Sequence, residues 1–326
     1  MQGVPPGNTY LPFEELMLLE KINVVTYRSI APPFSPGDNA GRAYGGHVFA
    51  QAAWAASQTV ASGFVLHTVT GYFLLPGSIS TPFVYKIHIV RDGRGYCTRI
   101  VNVTQAEGRG VCFTCTCSFK KPEHSALDAQ AKVDLWSRYG TVLKGKKPED
   151  FPEAPGMDVP RYWRRMAATG YNDPFPGLDS RKVTMDAFNR TRSPLDKRHL
   201  LFYRIIGKAP DDTNLALCAH LYASDRNSLF IIANHFDVGD TFTQLGSLVH
   251  SVTFHAPVEA LMMHAEDCSR RWFCKEDWTT RVADNRGMFH SHVWGPDGTH
   301  VATLFQDGMI RQPKDSPRIK ERKERL

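Results

Sequence analysis

The residue in this chain that most invites a chemical role is Asp225, in the stretch LYASDRNSLFIIA. A small, apolar run gives way there to a helix-like segment, and an acid at such a start has two readings. It can cap the helix by accepting a backbone N–H, or it can hold and polarise a water molecule. The local sequence leaves both open. Cys112, Cys115 and Cys117 form C-x-x-C-x-C, a spacing that invites metal. Strand alternation would put Cys115 and Cys117 on one face and Cys112 on the other, and no second ligand pair lies nearby at zinc spacing. They read as small core residues, and no metal site is expected. No G-x-S-x-G occurs in the chain, which disfavours a serine nucleophile and an acyl-enzyme. The DGRG at 92–95 and the EGRG at 107–110 are turns, too short for phosphate loops.

The elements that must position Asp225 repeat. LHTVTGYFLLPGS, followed by RDGRGYCTRIVNVTQAEGRGVCFTCTCSF, has a degenerate second copy in VHSVTFHAPVEA and ADNRGMFHSHVWGPDGTHVATLFQDGMI. His67 and His250 fall at matching places, and a shared packing role is expected of them. VNVTQ, VCFTCTCSF, HSHVW and HVATLF alternate and are rich in β-branched and aromatic residues, so they read as strands. Asp297-Gly298 between two such runs signals a hairpin. Each copy follows one helical candidate. In the first half this is the alanine-rich GGHVFAQAAWAASQTVASG, free of proline; in the second it starts near Ser224. KVTMDAFNR and HLLFYRIIG look like opening strands. A helix and a long antiparallel sheet, twice over, give an α+β protein of two similar domains. The expected division is 1–120, a proline- and charge-rich linker at 121–180 with one short helix near 161–168, a second domain at 181–312, and a basic tail at 313–326.

The tail carries six basic and three acidic residues and supplies +3 of the net +6, so the folded body is only mildly basic. That suits a small anionic ligand and not nucleic acid, which needs a concentrated basic face. No run of eighteen apolar residues is present, so no membrane span is expected. The N-terminal stretch has no basic n-region and reads as no secretory signal. Seven scattered cysteines fit a reduced, intracellular protein. Glu324-Arg325-Leu326 keeps the last two positions of a peroxisomal address, so peroxisome is preferred slightly over cytosol.

The ordered blocks LEKINVVTYRS, GRAYGGHVFAQA, HTVTGYFLLPGS, RDGRGYCTR, LYASDRN, HSVTFHAP and VATLFQDGMIR resemble the TesB-type acyl-CoA thioesterases, from about 18 to 311. The resemblance implies a double hotdog fold, in which each half is a curved antiparallel sheet wrapped around a helix. It implies hydrolysis of acyl-CoA to free acid and CoA, with no metal or organic cofactor. It places a water-positioning trio on Asp225, Ser247 and Gln306, all in the second half. Relatives often carry threonine at the position of Ser247. Gly45 and Gly46 would let a thioester approach backbone closely, and His47 beside them is a candidate substrate contact. Arg91, Arg94, Arg99, Arg109, Arg226, Arg286 and Arg311 are candidates for the CoA phosphates. Hotdog sheets often pair, so a homo-oligomer, dimer or higher, is expected. The alternatives are a hotdog hydratase or dehydratase, which wants a His with a carboxylate, and a non-catalytic acyl-CoA binder.

Overall fold

The computed structural model describes residues 11–36, 41–105, 110–170 and 175–313. The EGRG turn lies largely outside these residues, and so does the C-terminal tail from residue 314 on, with its tripeptide.

The first half contributes β1 (Leu19–Asn23), β2 (Thr26–Ser29), β3 (Val65–Phe73), β4 (Val84–Asp92), β5 (Tyr96–Thr104) and β6 (Phe113–Lys120). The second contributes β7 (Leu178–Lys182), β8 (His199–Ile205), β9 (Gln244–Phe254), β10 (Phe273–Ala283), β11 (Arg286–Trp294) and β12 (His300–Arg311). They join into one antiparallel sheet in the order β1-β2-β4-β5-β6-β3-β9-β12-β11-β10-β8-β7. The halves meet at β3–β9, where Thr68 faces Thr253 and Thr70 faces Ser251. Hydroxyl pairs tie this seam, at 2.7 Å for Thr70–Ser251 and 3.2 Å for Thr68–Thr253.

The helices are α1 (Phe13–Leu16), α2 (Gly45–Ser57), α3 (Leu135–Arg138), α4 (Gly140–Leu143), α5 (Pro160–Thr169), α6 (Asp186–Asn189), α7 (Thr213–Ser224), α8 (Ser228–His235) and α9 (Val258–Leu261). Two of them, α2 and α7, cross inside the molecule. Their small side chains allow this: a Cβ on Gly46 would lie 2.6 Å from the Tyr222 carbonyl of α7, so only glycine fits the crossing.

Several expectations change here. The central helix of the second half is α7, capped by Asp212, whose carboxylate accepts from Leu215 N–H at 3.0 Å. Asp225 stands at the other end of that helix, in the turn before α8. Of KVTMDAFNR only Lys182 lies in a strand, as the last residue of β7, and Asp186–Asn189 is helical. The proline-rich middle segment carries α5 where a helix was expected. It also packs firmly, since Leu135, Tyr139, Leu143 and Phe151 bury against Leu200, Phe202, Cys274 and Trp294.

His67 and His250 share a sequence position but not an environment. The pairing of β3 with β6 slips between Leu66 and Thr68, and the half-exposed His67 ring packs on Tyr96. His250 is fully buried and bonds Ser224 Oγ at 2.8 Å. The three clustered cysteines are all buried, with Cys115 and Cys117 sulfurs 3.7 Å apart. Cys112 precedes β6, so strand alternation does not govern it, and its thiol donates to the Val103 carbonyl.

Candidate active site

Asp225, Ser247 and Gln306 arrive from three elements and meet. Gln306 lies midway along β12, opposite His250 of β9, with its side chain fully buried. Ser247 lies three residues before His250, near the start of β9. Asp225 is carried in by the turn joining α7 to α8, which Asn227 closes with φ +59°. The Gln306 amide bridges the other two: Nε2 donates to Asp225 Oδ1 at 2.8 Å and to Ser247 Oγ at 2.5 Å. One amide nitrogen has two hydrogens, and both are used here.

The carboxylate receives further donors. Gly46 N–H, in the first turn of α2, donates to Oδ2 at 2.9 Å, and the Ser228 hydroxyl reaches Oδ1 at 3.3 Å. Asp225 therefore does not cap the helix that follows it. It instead satisfies an amide at the N-terminus of the helix from the other half, one of the orphan donors every helix start carries. Gly45 must be glycine for this contact, because a Cβ there would fall 2.8 Å from Asp225 Oδ2. Burial raises the Asp225 pKa above the ordinary carboxylate value. The Gln306 hydrogen bond, the Lys275 charge, the Gly46 N–H and the Ser228 hydroxyl oppose that rise without cancelling it.

Asp225 and Ser247 face a cavity of about 320 Å³ between the halves. Its apolar wall is Phe73, Leu74, Leu75, Leu229, Phe230 and Met309, among others, and Arg42 lies on its rim. Gly45 is on the wall. His47 is not: its ring is fully buried, bonded to Gln51 Oε1 at 3.2 Å and packed against Phe83 and Tyr222. Among the described residues no histidine lines the cavity.

Arg109 lies outside the described residues, and most of the other arginine candidates are engaged elsewhere. Arg99 is buried against Asp92, Arg286 pairs with Asp307, and Arg311 binds Gln244. Arg226 does border the cavity, but its buried guanidinium donates to the carbonyls of Ala154, Pro155 and Gly156 and stacks on Phe175. It thus clamps the middle segment against the Asp225 turn, and Gly156 and Phe175 become cavity wall. Sequence reasoning missed Arg42, just before α2, and also Phe175 and this clamp, since no local pattern marks residues of the middle segment as part of a site.

Among the described residues, the first half holds no second copy of the trio. The offset that takes His67 to His250 takes Phe64 to Ser247, and where Gln306 pairs with His250 in the second half, Phe119 pairs with Leu66 beside His67 in the first, so apolar residues stand in place of the hydroxyl and the amide. Both phenylalanines are buried in the core.

The family model described as acyl-CoA thioesterase N-terminal domain matches residues 35–120, and the one described as acyl-CoA thioesterase C-terminal domain matches 146–310. The chain is 26% identical over 307 residues to acyl-CoA thioesterase 2 of Haemophilus influenzae, covering 91% of this chain and 96% of that one. It is 25% identical over 290 residues to acyl-coenzyme A thioesterase 8 of Rattus norvegicus, covering 86% and 83%. Among solved structures, the acyl-CoA thioesterase II TesB2 of Mycobacterium marinum superposes with a TM-score of 0.67 at 23% identity, covering 93% and 98%. A hot dog fold protein of unknown function from Alicyclobacillus acidocaldarius gives 0.68 at 18%, covering 92% and 98%. These likenesses, with the sheet and its two crossing helices, make the fold a double hotdog of the α+β class.

Proposed function

The chain belongs to the acyl-CoA thioesterase family, a family of thioester hydrolases, and on that footing we propose that it cleaves acyl-CoA with a water held by Asp225, Ser247 and Gln306. The observation that carries this reading is the Gln306 amide, which bridges a carboxylate and a hydroxyl at the wall of an apolar cavity.

In this reading the acyl chain lies along Phe73, Leu229, Phe230 and Met309, and the thioester carbonyl sits beside Gly45. Water bound between Ser247 and Asp225 attacks the carbonyl carbon as its proton passes to Asp225. The oxyanion faces the N-terminal turn of α2. Gly46 N–H is committed to Asp225 there, so we assign the oxyanion to the Gly45 N–H, with the positive end of the helix dipole behind it. Collapse of the tetrahedral species breaks the C–S bond, and the CoA sulfur takes the proton back from Asp225. Free acid and CoA leave, and no bond to the protein forms at any stage. Arg42 is the cation we assign to the CoA arm. A hydratase would need a histidine acid or base at the substrate, and none lines the cavity among the described residues.

Tyr72, Leu74 and Leu75 stay exposed beside the cavity, and their cover in a dimer or higher oligomer is part of this reading. A monomeric mass by light scattering would count against that part.

The test is thiol release from acyl-CoAs of short to long chain. Release with production of the free acid supports hydrolysis. Tight binding of a non-hydrolysable acyl-CoA with no release from any substrate would make the chain a binding protein, and water addition to a 2-enoyl-CoA would make it a hydratase.

A further inference from the structure

Beneath the Asp225 turn lies a charged group the hydrolysis as described does not use. Lys275, on β10, is fully buried, and its ammonium donates to the carbonyls of Ala223 at 3.3 Å, Ser224 at 3.2 Å and Arg226 at 3.1 Å. These carbonyls flank Asp225 on both sides. Two belong to the last turn of α7, where carbonyls lack intrahelical partners and the helix dipole is negative. An ammonium has three donors, and all three are spent on this one turn.

A buried lysine needs a counter-charge, and a chain of them runs away from the site. Asp277, two residues on and so on the same face of the strand, places Oδ1 4.0 Å from the ammonium. Its Oδ2 meets His199 Nδ1 at 3.1 Å. The other ring nitrogen of His199 lies 3.5 Å from Asp158, which binds Lys182 at 2.6 Å and the Trp163 indole at 2.8 Å. Lys275, Asp277 and Asp158 are 1% exposed or less, and His199 is 7% exposed. Burial works against the His199 cation, but its bonds to Asp158 and Asp277 outweigh this and raise its pKa. Charge therefore alternates from Lys275 to the partly exposed Lys182. Burial lowers the Lys275 pKa, and Asp277 and Asp225 act to hold it up.

We propose that Lys275 is a positioning residue for the hydrolysis: its ammonium ties together the three carbonyls around Asp225, and the buried Asp277–His199–Asp158 chain behind it holds that ammonium in place. The inference rests on Asp225 being the water-holding acid. Among the described residues, Lys275 is the charged side chain that acts on Asp225 from another element. Arg226, beside it in the chain, spends its guanidinium on the middle segment, and Tyr44 donates its hydroxyl to the Tyr222 carbonyl at 2.6 Å. Lys275 also opposes the rise in the Asp225 pKa. It thus has two effects on the base, one on its position and one on its charge.

The experiment compares Lys275→Met, which keeps the length and loses the donors and charge, with Lys275→Gln, which keeps an amide donor and loses the charge. Wild type and Asp225→Asn are assayed alongside for thiol release across pH. In folded variants kcat should fall by roughly tenfold to a hundredfold, the scale of one or two charge-assisted hydrogen bonds. KM should stay within about threefold, and the acidic limb of the kcat profile should move to higher pH. A packing role alone would not move that limb. Folded variants with the wild-type profile and kcat overturn the proposal, as does failure of both to fold, which would make Lys275 a residue of folding. If the wild type releases no thiol at all, it is the hydrolase reading that fails, and that outcome takes this inference with it by a distinguishable route.

Discussion

Replacing Asp225 with asparagine removes the charge and leaves the outline unchanged. The carboxylate accepts from Gln306 and Ser228 through Oδ1 and from Gly46 through Oδ2. An asparagine has one oxygen, so one of these donors would face an NH2 group. With the oxygen kept at Gly46, the Gln306 amide can turn its Oε1, which has no protein partner, towards the new NH2. The loss is then about one hydrogen bond, at the Ser247 end, or ~0.5–1.5 kcal/mol. A gain opposes it. The native pKa of Asp225 is raised by burial, so below the unfolded-state pKa the protonated group costs nothing, and as pH rises through the folded pKa its ionisation draws stability away. The asparagine has no such dependence. Its melting temperature relative to wild type should therefore improve from acid to neutral pH, with a net shift at neutrality of only a few degrees, on the order of 2–4 °C per kcal/mol for a chain of this size.

Activity should respond quite differently. Loss of a general base costs about 10²–10⁴-fold, which is roughly 2.7–5.4 kcal/mol of barrier. The assay is thiol release under saturating acyl-CoA, with folding verified by melting. A folded variant within tenfold of wild-type kcat would falsify the placement of Asp225 as the base.

The other residues of the site have their own expected outcomes. Gln306→Leu removes the strongest interaction that holds the Asp225 anion, so the acidic limb of kcat/KM should shift upward in pH; an unmoved limb would mean that Gln306 does not set the charge of Asp225. Ser247→Ala should lower kcat by about tenfold to a hundredfold, the loss of one charge-linked hydrogen bond, while Ser247→Thr keeps the hydroxyl and should stay near wild type. Gly45→Ala puts a Cβ 2.8 Å from Asp225 Oδ2 and should cost at least about tenfold in kcat, because the carboxylate must move. Gly246→Ala, on the same cavity wall but with nothing within 4 Å of its added Cβ, is the control and should behave as wild type.

The pattern of residues along the chain was enough to determine the two-fold design. Alternating β-branched runs, a DG hairpin, an alanine-rich segment between glycines and a degenerate repeat are local signals, and they specify strands, a turn and a helix that the structure contains. The ordered blocks that resemble a known family named the three residues whose side chains the structure gathers. Other features depended on contacts between residues far apart. In sequence Asp225 looked like a helix start; in space it ends α7 and satisfies the first turn of α2, because the two central helices cross end to start. His47 sits beside a glycine pair at the cavity, yet the helical turn points it into the core. His67 and His250 match in register, but a slip in one pairing gives them different surroundings. Lys275, Glu276 and Asp277 form a charged run inside a strand, which reads as solvent-facing. In the sheet all three are buried, Lys275 and Asp277 beneath the Asp225 turn and Glu276 against Arg138, Tyr139 and Trp294 on the other face. Period-two alternation says which residues share a face. What covers that face is decided only by tertiary packing, and here the cover decided which charges could serve the site.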